Sequence, residues 1–187
     1  KGRVLFYKSA DGVNWEYVSQ YSHENFGTIL ECPDLFEIQG QYVFQGSPMN
    51  ILEDGLEYVH HSICTLVDFR EGECGLSLPK EYQFVDYGLD LYAPQTNVDK
   101  DGRRVMVAWL RMPEAVKEDS ERGTWNGMMC TPRMMEVQNG HIYFRMHTEA
   151  DKYLSKEVQN RKDVDYDRPF RLQTTLKEGD VLDIGGY

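Results

Sequence analysis

Residues 30–47 read LECPDLFEIQGQYVFQGS. A carboxylate, a thiol and a second carboxylate stand around Pro33. The chain then runs into the apolar stretch Leu35–Ile38, passes Gly40, and resumes an apolar run at Gln41–Ser47. Two short apolar runs joined by a glycine-containing pair predict antiparallel strands around a tight turn. The question the stretch raises is why Glu31 sits at the mouth of a hydrophobic strand.

The same grammar extends in both directions. Strands are predicted at Arg3–Ser9, Tyr58–Phe69, Leu91–Val98 and Arg103–Leu110, on either side of Asn139-Gly140, and at Pro169–Leu176. The separators "ADG", "IQGQ", "DKDGR" and "QNGH" suit tight turns. Nothing in the first 147 residues keeps a helical apolar period long enough to compete, although Pro113–Arg122 suits a short surface helix or loop. The fold class is all-β. In "KSADGVNWEYV", Asp11 is placed to cap a turn, Gly12 to take positive φ, and Trp15 to plug the space between neighbouring sheets. Radially arranged four-stranded blades and a β-sandwich both fit this pattern, and no strict internal repeat chooses between them. After His147 the composition changes. Residues 148–168 are highly charged and read as a linker, possessing at most a short helical turn, and alternation resumes over 169–187.

Composition bounds the partners. The 187 residues are 41% hydrophobic and 27% charged, too apolar for a disordered chain. A formal charge of −11, with no block of lysine and arginine, disfavours nucleic acid. No apolar run reaches the roughly 20 residues needed to span a bilayer, so no membrane partner is expected. Cys32, Cys64, Cys74 and Cys130 show no metal or disulfide spacing, which fits free thiols in a reducing, cytoplasmic setting. The opening inside a strand-like run and the lack of a clear terminus suggest a piece of a longer polypeptide.

Several acids stand where strands begin or end beside aromatic residues: Glu31, then Asp86, Asp90 and Tyr92, with Trp125 further on. Acids that bond hydroxyls, next to rings that cover an apolar sugar face, suit a saccharide site. A single strand-end carboxylate is more often a solvated cap. An acid that protonates a glycosidic oxygen must be partly desolvated or close to another negative charge, and Glu31 is the candidate. Other chemistries are weaker. His60 and His61 are adjacent and would face opposite sides of a strand, and there is no phosphate-binding glycine loop or serine elbow. Met128, Met129, Met134 and Met135 read as packing residues.

Taken in order, "ECPDLF" (31–36), "DYGLDLYAPQT" (86–96), "RRVMVAWL" (103–110) and "WNGMMCTPRMM" (125–135) resemble glycoside hydrolase family 32, the β-fructofuranosidases, and "YKSADGVNWEYV" resembles the element preceding their glutamate. The resemblance covers residues 3–145. It implies a five-bladed β-propeller followed by a β-sandwich. On that reading residues 1–147 are a partial propeller, 148–168 a linker and 169–187 the first sandwich strands. It also implies that Glu31 is the general acid/base, that Cys32 shapes the pocket wall, and that Asp90, Tyr92 and Trp125 lie at the sugar site. For Asp34, turn capping and substrate contact both remain open. The expected activity is retaining hydrolysis of terminal β-D-fructofuranosyl bonds in a fructose-containing saccharide, without metal or organic cofactor. A non-catalytic carbohydrate-binding propeller is the alternative, and a protein-interaction propeller is a third reading.

The family's nucleophilic aspartate motif and its arginine-aspartate-proline motif have no counterpart in residues 1–187. Glu31 alone cannot form the covalent intermediate, so the isolated chain is expected to be inactive. Open sheet edges would call for a complementary N-terminal fragment or a homo-oligomer. Arg111, Lys117 and Arg122 are candidates to contact a phosphate on sucrose, each with a solvated-surface reading beside it.

Overall fold

The computed structural model describes residues 1–111, 116–117, 124–154, 156–165 and 168–182. These divide into two units, Lys1–His147 and Thr148–Tyr187. In the first, β1 (Val4–Lys8) and β2 (Glu16–Tyr21) form a hairpin. After a 3-10 turn come β3 (Ile29–Ile38), β4 (Gln41–Glu53), β5 (Leu56–His60), β6 (Ile63–Arg70), β7 (Gly75–Ser77) and β8 (Gln83–Phe84). They are followed by β9 (Leu91–Val98), β10 (Arg104–Leu110), β11 (Val116–Lys117), β12 (Thr124–Trp125), β13 (Met128–Met129), β14 (Arg133–Gln138) and β15 (His141–Met146).

Every ladder between these strands is antiparallel. β4 pairs with β3 on one edge and with β6 and β5 on the other, and β7 and β8 extend β6. β10 likewise pairs with β9 on one edge and with β14 and β13 on the other, and β15 lies outside β14. Two antiparallel sheets, of six and five strands among the described residues, therefore follow one another along the chain.

The central run of β4 explains how they pack. Val43 and Phe44, both 1% exposed or less, project to opposite faces because strand side chains alternate. Val43 joins Phe36, Cys64, Leu91, Met106 and Ile142 in a core between the two large sheets. Phe44 joins Val4, Phe26, Leu76 and Leu78 in a second core toward the hairpin. Each phenyl ring buried in this way stabilises the fold by about 1.5–3 kcal/mol relative to exposure. Amide side chains also bridge the large sheets. Gln83 accepts from the Ile142 amide at 2.9 Å and donates to its carbonyl at 3.1 Å, and Gln39 accepts from the Val137 amide at 3.0 Å.

Several expectations change. Asp11 caps its turn, accepting from the amides of Val13 and Asn14 at 2.8 Å each, but Trp15 is 61% exposed and plugs nothing. The strand expected over Tyr58–Phe69 is two strands, broken at His61-Ser62, where β4 changes partner from β5 to β6. Within Pro113–Arg122, Val116–Lys117 is strand rather than helix, and the remaining positions lie outside the described residues. Met135 is buried as expected, whereas Met128 and Met129 are exposed.

In the second unit, Thr148–Asp151 forms a short helix and Arg161–Asp163 a 3-10 turn. Arg171 pairs with Asp151 at 2.5 Å. No strand forms over 168–182 among the described residues. Alternating side chains become a strand only when a neighbouring strand takes up the backbone hydrogen bonds, and this unit supplies none among the described residues.

Candidate functional site

The site is built on two β-bulges of the same design. In β3, Glu31 is opposite Ser47 and Asp34 opposite Gln45, so Cys32 and Pro33 together face one residue of β4. In β9, Tyr92 is opposite Trp109 and Gln95 opposite Val107, so Ala93 and Pro94 together face one residue of β10. Each bulge contains a non-glycine residue in the left-handed region, Cys32 at φ 48° and Ala93 at φ 52°, immediately before its proline. Proline donates no ladder bond and is accommodated at a bulge. Two αL residues before proline carry backbone strain of the kind that concentrates at functional positions.

These bulges bring Glu31 and Tyr92 together from different sheets. The Tyr92 hydroxyl donates to Glu31 Oε2 at 2.5 Å. Tyr92 is buried, with His60 edge-on at 5.3 Å between ring centroids and the Arg111 guanidinium carbon 5.8 Å from its ring centre. Burial, and after it the bond to Glu31, raises the Tyr92 hydroxyl far above the ordinary tyrosine range. It therefore remains a donor across the physiological range. Glu31 is exposed rather than partly desolvated as expected, with Oε2 held by Tyr92 and Oε1 without a partner among the described residues. One oxygen is oriented and the other is open to give or take a proton.

The neighbouring groups have distinct tasks. Burial, and then the charge of Glu31, raises the Cys32 thiol, which keeps it protonated and a weak nucleophile. Asp34 neither caps its own turn nor stands free. Its Oδ2 accepts from the Thr96 amide at 3.0 Å and the Thr96 hydroxyl at 2.7 Å. Asp86 pins the loop before β9, accepting from the Gly88 amide at 2.7 Å and pairing with Arg133 at 2.6 Å. Asp90 is half-buried, its carbonyl accepts from the Arg111 amide at 2.8 Å, and its carboxylate has no partner among the described residues. Trp125 pairs with Val116 through the backbone, and its side chain lies outside the described residues. The side chain of Lys117 and all of Arg122 are likewise outside them. Two surface hollows, of about 790 Å³ and about 430 Å³, include neither Glu31 nor Tyr92. No cluster of three metal-ligating side chains occurs among the described residues.

Reading by sequence missed Thr96, Trp109 and His60. A usable signal was present for the pairing itself, because Leu30-Glu31-Cys32-Pro33 and Leu91-Tyr92-Ala93-Pro94 share a leucine-x-x-proline frame that aligns Glu31 with Tyr92.

His61 makes a pH prediction. It is 3% exposed, stacks on Phe84 at 4.0 Å and accepts from the Ser62 amide at 2.8 Å. Burial lowers its affinity for a proton, outweighing the opposing pull of Asp86. A folded-state value below the unfolded value of about 6.5 gives stability that is present above that pH and lost as pH falls through it. Urea midpoints should drop between pH 7 and pH 5, and less so in His61→Phe. Equal slopes for the two proteins would remove this account.

A buried phenol that orients one oxygen of an exposed carboxylate and leaves the other open is an arrangement that general acid/base chemistry can use. Residues 1–146 match the glycosyl hydrolases family 32 N-terminal domain, and the chain belongs to that family. It is 28% identical over 161 residues to a sucrose-6-phosphate hydrolase of Staphylococcus xylosus, covering 84% of this chain and 32% of that protein. With a sucrose-6-phosphate hydrolase of Vibrio alginolyticus it shares 31% identity, covering 84% and 34%. The family 32 β-fructofuranosidase of Bombyx mori superposes with a TM-score of 0.71 at 29% identity, over 84% of this chain and 34% of that one. The chain thus spans about a third of the length of the curated relatives it matches.

Proposed function

We propose that the protein carrying this chain hydrolyses terminal β-D-fructofuranosyl bonds with retention of configuration, and that Glu31 is its general acid/base. The observation that carries the reading is the 2.5 Å bond from Tyr92 to Glu31, formed by paired bulges in a chain of this family. In the first step Glu31 gives its proton to the glycosidic oxygen as the bond from that oxygen to the fructosyl anomeric carbon breaks. A carboxylate supplied by another part of the protein takes the anomeric carbon. In the second step Glu31, now ionised, takes a proton from water as the water oxygen displaces that carboxylate. Cys32, Asp90 and Trp125 would shape the sugar pocket around this pair. The two large sheets are then blades of a five-bladed propeller, with other blades covering their open sides and a sandwich domain following residue 168.

Sucrose and sucrose 6-phosphate are the first substrates to test, given the names of the relatives, with β-fructans after them. The full-length protein should release fructose from at least one of them. Proton NMR at early times should show β-fructofuranose before mutarotation. Release of the α-anomer, or no release, would overturn the proposal, and binding without turnover would favour a carbohydrate-binding protein on the same scaffold.

A further inference from the structure

Asp34 lies three residues past Glu31, on the other side of the Cys32-Pro33 bulge, and its bonding partner is on another sheet. Thr96 is four residues past Tyr92, beyond the Ala93-Pro94 bulge. The two bonds run in parallel from β3 to β9, one on each side of the bulges: Tyr92 to Glu31, and Thr96 to Asp34. β3 and β9 share no ladder, so backbone pairing does not set their relative position at this point.

A third side chain completes the second bond. Arg104 donates to the Thr96 hydroxyl at 3.4 Å, and its guanidinium carbon is 4.7 Å from the ring centre of Phe36, which is in β3 beside Asp34. Donation therefore runs from Arg104 to the Thr96 hydroxyl, and from that hydroxyl to Asp34 Oδ2. Bonds in such a chain polarise one another in the same direction.

We infer that the Asp34–Thr96 clasp is a positioning device for the general acid, holding the two bulges in the register at which Tyr92 reaches Glu31. A bulge is bent backbone, and a carboxylate held at one point can swing about it. Held by a second bond on the far side of the same bulge, Glu31 keeps one orientation. Asp34 acts through Glu31 and does not touch the sugar.

The inference rests on the proposed hydrolase reading, and a double-mutant cycle in the full-length protein separates the two. Asp34→Ala should lower kcat by about 10- to 100-fold with KM changed less than about 3-fold, the size of loss that a misplaced catalytic group gives. Asp34→Asn keeps a carbonyl oxygen able to accept both Thr96 donors, as Oδ2 does alone, and should recover to within about 3-fold of wild type. In a Tyr92→Phe background the Asp34→Ala loss should shrink to about 3-fold or less, because the bond that the clasp serves is already gone. If Asp34→Ala does not fold, Thr96→Val, which removes the hydroxyl with its bonds to Asp34 and Arg104 but keeps the amide bond, should show a smaller loss that also vanishes in Tyr92→Phe. Equal losses in both backgrounds, a loss confined to KM, or failure of asparagine to rescue would each overturn the clasp. A wild-type protein that releases no fructose would overturn the hydrolase reading and the clasp together; fructose release with additive losses would overturn the clasp alone.

Discussion

Glu31→Gln in the full-length protein should cut fructose release by about 10²- to 10⁴-fold, the contribution of a well-placed general acid/base. The substitution is nearly isosteric, and the amide oxygen can still accept the hydroxyl of Tyr92, so packing and the β3–β9 connection should survive. What disappears is the proton on the open oxygen. A leaving group that departs without protonation needs that proton least. With an aryl fructoside the variant should therefore lose much less in the step that releases the phenol than it loses with sucrose. Sucrose turnover close to wild type would remove Glu31 from the acid/base role. An equal loss on sucrose and on the aryl substrate would point to a damaged site rather than a missing proton.

The sheet elements were legible because they depend on local alternation. Leu91–Val98 is β9 to the residue, and the turn at Gln39-Gly40 joins β3 to β4. The break at His61-Ser62 was hidden because Tyr58–Phe69 is apolar on both sides of it, and only the change of partner along β4 divides the stretch. Trp15 failed as a plug for a related reason, since whether a turn tryptophan is covered depends on a surface its own sequence does not encode. Glu31 was legible through its motif, but its surroundings were not. Its partner Tyr92 arrives 61 positions later, and Thr96, which bonds the neighbouring Asp34, arrives 62 positions after Asp34. The expected sandwich strands illustrate the limit. Residues 169–182 have the alternation, yet a strand is a property of a pair.

Gly127→Ala should destabilise the protein by about 2–6 kcal/mol, summing the ranges for backbone strain and for overpacking. Gly127 adopts φ 86°, where side chains with a Cβ are strained, and a Cβ there would lie 1.7 Å from Trp109 Nε1 and 2.8 Å from the Leu110 carbonyl oxygen. The indole would have to leave, and Trp109 is the ladder partner of Tyr92, so the loss should reach turnover as well as stability. Gly140→Ala is the control. Its φ of 77° imposes a similar backbone cost, but nothing lies within 4 Å of the added carbon. The difference between the two variants in urea unfolding isolates the crowding of Trp109. If both variants lose the same stability, the indole yields without cost and the glycine of the "WNG" stretch is needed only for its backbone. If Gly127→Ala loses much more and Trp109→Leu restores part of it, that glycine is there to admit the tryptophan that flanks Tyr92.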